Sequence, residues 1–98
     1  MRSFRDQTEI AVAVGEVFEI VLGGNFTTGY RWVLSLRPDG ISLVSDEMRA
    51  GGEAPGSAGT QHFQFKAESR GRYLLAFSYR RSWEDAGSDE RRIDVRVE

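Results

Sequence analysis

The side chains able to do covalent or acid–base work are sparse. His62 is the single histidine, cysteine is absent, and Ser57 lies in a glycine-rich stretch just before that histidine. A catalytic triad needs a histidine held by an orienting carboxylate, and the pattern around His62 supplies none. One histidine without thiolates is also too few donors for a zinc-type site. His62 therefore reads as a strand-surface residue; no metal and no cofactor is expected, and an enzyme is the least favoured reading. What remains is recognition chemistry. It concentrates in the stretch Asn25-Phe26-Thr27-Thr28-Gly29-Tyr30-Arg31-Trp32, a polar, glycine-containing loop that passes directly into a strand. Two threonines at such a tip have no packing purpose, and loops on a rigid scaffold are where binding groups tend to sit.

The elements that must position this loop are strands. Ile10, Val12 and Val14 alternate within Thr8–Val14, and Phe18, Ile20 and Leu22 within Val17–Leu22, whose other face is also mostly apolar. Gly15-Glu16 between them is too short for anything but a hairpin or a tight corner. Tyr30, Trp32 and Leu34 share one face of a third strand, Tyr30–Leu36, with Trp32 as core and Tyr30 as either a core lid or a support for the loop. Pro38-Asp39-Gly40 is a turn, and Ile41–Met48 is a less regular strand. Arg49–Thr60, with four glycines and a proline, reads as a mobile loop before the strand His62–Lys66. Tyr73, Leu75, Phe77 and Tyr79 alternate most strongly of all, and Ile93, Val95 and Val97 alternate with charges in a last strand expected at a sheet edge. The pattern predicts an all-β chain, an immunoglobulin-like β-sandwich of seven to eight mostly antiparallel strands. No helix is expected.

Counting strands from Thr8, the loops at Asn25–Gly29, Gly51–Thr60 and Arg81–Asp89 each follow an even-numbered strand. In a sandwich such loops emerge at one end. A Thr-Thr tip, a flexible glycine loop and an Arg81-Ser82-Trp83 tip would then form one protein-binding edge, since Trp and Arg most often anchor such interfaces.

These three segments resemble the chagasin family of cysteine-protease inhibitors. The family pattern is an Asn-Pro-Thr-Thr-Gly-aromatic loop, a Gly-x-Gly-Gly loop and an Arg-Pro-Trp/Phe loop. Here the matching positions read Asn25-Phe26-Thr27-Thr28-Gly29-Tyr30, then Gly56-Ser57-Ala58-Gly59, then Arg81-Ser82-Trp83. Val12-Ala13-Val14-Gly15-Glu16, Trp32, Thr60, His62-Phe63 and Tyr79 flank them in the family's order, so the likeness spans nearly the whole chain. It implies a single inhibitor domain over residues 1–98 that is reversible and competitive towards papain-like peptidases (papain, cathepsin L type) and acts as a monomer. The first loop would plug the catalytic cleft, with Thr27 and Thr28 near the enzyme's Cys and His. The second would lie along the substrate groove and pair backbone to backbone, while Arg81 and Trp83 pack on the leaving-group side. Three positions depart from the pattern. Phe26 stands for proline, either loosening the loop or filling an enzyme subsite; Ala58 stands for glycine; Ser82 stands for a second proline.

The alternative from another class is an immunoglobulin-like adhesion or assembly module that binds a protein or glycan through the same edge. A net charge of −2, with acids interspersed among basic residues that are all Arg except Lys66, points to neither nucleic acid nor an anionic membrane. No apolar run approaches the roughly 20 residues of a membrane span. Met1-Arg2-Ser3-Phe4-Arg5-Asp6 carries no signal segment. The chain reads as soluble, cytoplasmic as given, or secreted or periplasmic if a leader has been removed. Asn25-Phe26-Thr27 also matches a glycosylation sequon; a glycan there would block the loop, and the match reads as chance.

Overall fold

The computed structural model describes residues 1–26, 29–50, 58–81, 83, 87 and 89–98. Among them eight strands run in order: β1 (Arg2–Phe4), β2 (Glu9–Val12), β3 (Val17–Gly24), β4 (Tyr30–Leu36), β5 (Ile41–Ala50), β6 (Gly59–Ala67), β7 (Gly71–Arg81) and β8 (Asp89–Val97). They form two four-stranded sheets, ordered β1-β3-β6-β5 and β2-β8-β7-β4. All pairings are antiparallel except β1 with β3 and β2 with β8. The result is the β-sandwich that the alternation predicts.

The core is the sum of the alternating faces. Phe18, Ile20 and Leu22 of β3 and Phe63, Phe65 and Ala67 of β6 meet Leu75 and Phe77 of β7 and Ile93, Val95 and Val97 of β8. Phe77 of one sheet lies 4.9 Å from Phe63 and 6.2 Å from Phe65 of the other, so the two sheets interlock through aromatic rings. Each such burial contributes about 1.5–3 kcal/mol, the largest favourable element of the fold. Trp32 is buried, as its place on the third predicted strand requires, and its indole N–H donates across the sandwich to the Gly23 carbonyl at 3.0 Å. Glu19 and Val21, on the other face of β3, are buried as well, so that strand is covered on both sides.

The structure decides between two alternatives at one turn, corrects one strand's place and adds a strand. Gly15-Glu16 joins β2 in one sheet to β3 in the other, so it is a corner and not a hairpin. Gly15 takes φ +84, and its amide donates to the Ala67 carbonyl at 2.7 Å, fastening the corner to the end of β6. The last strand is not an edge: β8 lies between β2 and β7, and its charged alternate residues face solvent from the outer side of the sheet. Finally, β1 precedes every strand the sequence announces, because three residues joined to β3 carry no periodicity to read.

Candidate functional site

Strand register decides where the three segments stand. Gly24 at the end of β3 pairs with Gly59 at the start of β6, and Gly59 pairs with Ala50 at the end of β5. Across the sandwich, Tyr30 at the start of β4 pairs with Arg81 at the end of β7, and Tyr79 pairs with Asp89 at the start of β8. The described ends of all three connections therefore share one end of the molecule. Two of the connections are hairpins, β5–β6 within one sheet and β7–β8 within the other. The 25–29 connection crosses from the first sheet to the second, leaving beside one hairpin and arriving beside the other. Topology alone makes it central.

The loop base is built on Tyr79. Its ring lies 5.0 Å from Trp32, stacks at 5.2 Å on Tyr30 and meets Phe26 edge-on at 6.4 Å. Its hydroxyl accepts from the Asn25 amide at 3.0 Å and donates to the Asn25 carbonyl at 2.7 Å. Phe26 is half-buried and packs on the core. A Cβ on Gly24 would lie 2.9 Å from the Phe26 ring and 3.0 Å from the Tyr79 ring. One on Gly59 would lie 2.7 Å from the Arg49 carbonyl oxygen and 3.4 Å from Phe26. The two glycines make the space into which Phe26 folds back. Beyond Phe26, the Gly29 amide reaches the Phe26 carbonyl at 3.4 Å, and Gly29 takes φ +86, open to few residues other than glycine.

The third segment leans on the first. Arg81 is half-buried, its guanidinium carbon 4.6 Å above the Tyr30 ring and 5.7 Å from the Trp83 ring. Trp83 is 72% exposed, and its ring edge lies 3.6 Å from where a Gly29 Cβ would stand. A ladder thus runs from solvent inward: Trp83, Arg81, Tyr30, Tyr79, Trp32. Cation–π contact and aromatic stacking run along it from one ring to the next.

Beneath the ladder, Gln61 is fully buried. Its side-chain oxygen accepts from the Trp32 amide at 2.8 Å, and its nitrogen donates to the Trp32 carbonyl at 2.9 Å and to Asp46 at 2.8 Å. Asp46 in turn pairs with Arg31 at 3.1 Å. One side-chain amide thereby ties β6 of one sheet to β4 of the other, just below the loop.

His62 is corrected from a strand-surface residue to a buried one. Its Nε2 lies 2.9 Å from the Thr60 hydroxyl. Its Nδ1 is 3.1 Å from Glu19, an ion-pair distance outside the angles of a directed hydrogen bond. Ser3 of β1 donates to the same carboxylate at 2.9 Å. Burial works against ionised Glu19, but the His62 and Ser3 contacts outweigh it and hold its pKa below the ordinary value. The cluster joins β1, β3 and β6; it lies in strands and offers no open reactive group.

The residues singled out in the sequence are thus distributed as follows. Asn25, Gly29, Ala58 and Trp83 are exposed; Phe26, Tyr30 and Arg81 are half-buried in the loop base; Gly59 is buried within β6. Thr27, Thr28, Gly56, Ser57 and Ser82 lie outside the described residues. Of the two residues that organise the site, Tyr79 is read from the sequence only as a flank of the third segment, and Gln61 escapes a motif-based reading. Gln61 carried a signal: it shares the apolar face of Phe63, Phe65 and Ala67, where a lone amide must find partners.

Comparison with known proteins identifies the family. The family model described as chagasin family peptidase inhibitor I42 matches residues 11–97. Amoebiasin-1 of Entamoeba histolytica is 34% identical over 88 residues, covering 86% of this chain and 83% of that protein. Chagasin of Trypanosoma cruzi is 28% identical over 92 residues, covering 88% and 84%. Among solved structures, the cysteine protease inhibitor EhICP2 from Entamoeba histolytica superposes with a TM-score of 0.83 at 20% identity, covering 99% of this chain and 96% of that one. PbICP-C, solved in complex with falcipain-2, superposes with a TM-score of 0.73 at 22% identity, covering 99% and 92%. With the family model matching residues 11–97 and a relative 34% identical over most of its length, this chain belongs to the chagasin family of cysteine-peptidase inhibitors.

Proposed function

We propose that residues 1–98 act as one inhibitor unit that enters the catalytic cleft of a papain-like cysteine peptidase with the 25–30 loop. The flanking 56–59 and 81–83 segments grip the cleft's two sides. The observation that carries this reading is topological: the 25–29 connection is the sheet-to-sheet crossing, set between two hairpins at one end of the sandwich. A wedge with two flanks suits a cleft better than a flat partner surface.

A loop held at its base by a core tyrosine inhibits without being a substrate. Cleavage needs the scissile carbonyl in a near-attack geometry, and a fixed turn offers none. Thr27 and Thr28 would stand nearest the enzyme's catalytic pair. Trp83, large and exposed, supplies apolar contact area of the kind that dominates interfaces. Arg81, taken up by Tyr30 and Trp83, serves the interface by presenting the indole. Membership of an inhibitor family leaves the adhesion-module reading without an observation in its favour.

The test is titration of papain and a cathepsin L-type enzyme with the purified chain, followed with a fluorogenic substrate. Competitive inhibition at nanomolar to low micromolar protein is expected. Trp83→Ala should raise the inhibition constant about 30-fold, the effect of a hot-spot residue, and Thr28→Ala should weaken binding too. No inhibition of either enzyme at tens of micromolar would sink the proposal.

A further inference from the structure

Tyr79 does more than fill the core, because it touches both ends of the same loop. Its hydroxyl both accepts from and donates to the backbone of Asn25, the first residue after β3. One phenol proton and one phenol acceptor site are thereby matched to both backbone polar groups of that residue. The effect is to continue the β3 ladder by one residue with a side chain in place of a strand. Meanwhile the ring touches Phe26 at the loop's entrance and Tyr30 at its exit. Gly24 leaves room for this: a Cβ there would crowd both rings at about 3 Å.

We infer that Tyr79 is a positioning residue, which fixes Asn25-Phe26 and Tyr30, the two ends of the loop, for its partner, and that Phe26 is its internal anchor and does not fill an enzyme subsite. The family pattern has proline at the position of Phe26, a residue that fixes φ by its own ring. Phe26 lacks that constraint. Here the loop entrance is fixed from outside its own backbone, by two hydrogen bonds at Asn25 and by edge-on packing of Phe26 between Tyr79, Gly24 and Gly59. Preorganisation of this kind raises affinity by removing the ordering cost of binding. This inference rests on the inhibitor reading above.

The discriminating variant is Tyr79→Phe in the full chain, which keeps the ring contacts and deletes both hydrogen bonds. Three quantities are read: the inhibition constant against papain, amide hydrogen exchange at Asn25, and the thermal midpoint. The inhibition constant should rise about tenfold, equivalent to about 1.4 kcal/mol. Asn25 exchange should accelerate by a similar factor, and the midpoint should fall by only a few degrees. A purely structural tyrosine would move the midpoint and leave inhibition intact; a tyrosine touching the enzyme would weaken inhibition without changing Asn25 exchange. Either result overturns the inference. A second variant, Phe26→Leu, should weaken inhibition of papain and of a cathepsin L-type enzyme by the same factor. Factors that differ with the enzyme would return Phe26 to the subsite role. If the unmodified chain inhibits neither enzyme, the inhibitor reading fails. Asn25 exchange then judges the clamp alone: slow in the parent and fast in Tyr79→Phe supports it, and equal rates refute it.

Discussion

β7 carries a tyrosine towards each end, on the same face, and the two are used differently. Tyr73 sits at the end opposite the loops. Its hydroxyl lies 3.0 Å from the Ser69 and Arg70 carbonyls and the Ser69 hydroxyl, closing a turn three or four residues upstream. Its ring covers Gly40 and Gly71, where a Cβ would come within 2.2 Å and 3.0 Å. This is the short-range tyrosine corner known from immunoglobulin-like sandwiches. Tyr79 reaches instead across 54 positions to Asn25. The first tyrosine holds a connection that only needs to be short. The second holds the loop proposed above to enter the peptidase, which has to keep its shape without being covered. A phenol thus closes a turn at one end and holds a loop entrance at the other, and on the proposed function stability and binding separate along a single strand.

Substitutions can break or sharpen that separation. The largest effect is expected one layer below Tyr79. Gln61→Leu would strip the buried Trp32 amide and carbonyl of partners, at a cost of about 2–4 kcal/mol. Thermal unfolding should then begin more than about 10 °C lower. A small shift would mean that the loop end has no structural layer of its own. Next is Gly40→Ala, whose methyl collides with a Tyr73 ring held in place by its hydroxyl contacts. Overpacking of this sort costs about 1–3 kcal/mol, and chemical denaturation should show it while the inhibition constant stays put.

Tyr73→Phe is the mirror of Tyr79→Phe. It should cost about 1 kcal/mol in urea denaturation with inhibition unchanged; weakened inhibition would erase the contrast between the ends. The smallest effect concerns Glu16, at the corner near Tyr73's end of the molecule. Hydrogen bonding from Arg2, then from the Ala13 amide, holds its pKa at about 2 against an ordinary 4.5. A depressed carboxylate pKa contributes stability fully above pH 4.5, and that contribution is lost as pH falls towards 2. Partly exposed pairs contribute under about 1 kcal/mol. Melting curves of the parent and Glu16→Gln should therefore differ slightly at neutral pH and converge near pH 2.

Much of this was legible from residue order. Tyr30–Leu36 is a strand in both sequence and structure with the same bounds, because Gly29 opens it and Arg37-Pro38 closes it. The inward faces of β3, β6 and β7 follow directly from period two. What alternation does not carry is sheet assignment. Gly15-Glu16 looks the same whether it returns a strand or turns a corner, and β8 shows charges on one face whether or not a neighbour pairs with its edge. Motif matching also identifies residue types without their directions. Asn25-Phe26 gives no sign that the phenylalanine folds inward over two glycines, and a histidine alternating with phenylalanines looks exposed until Glu19 and Thr60 close over it.

Gln61 has one more consequence. β4 is the last strand of its sheet, and the Trp32 amide and carbonyl taken by Gln61 are groups that β7 does not use. An open strand edge invites addition of a stranger's strand, the usual route to fibrils and swapped dimers. Here a second chain sliding along β4 meets, at its most deeply embedded residue, a hydrogen-bonding pair already filled from within. That pair of groups is therefore closed to a copy of this chain, and an added strand would have to break register around it.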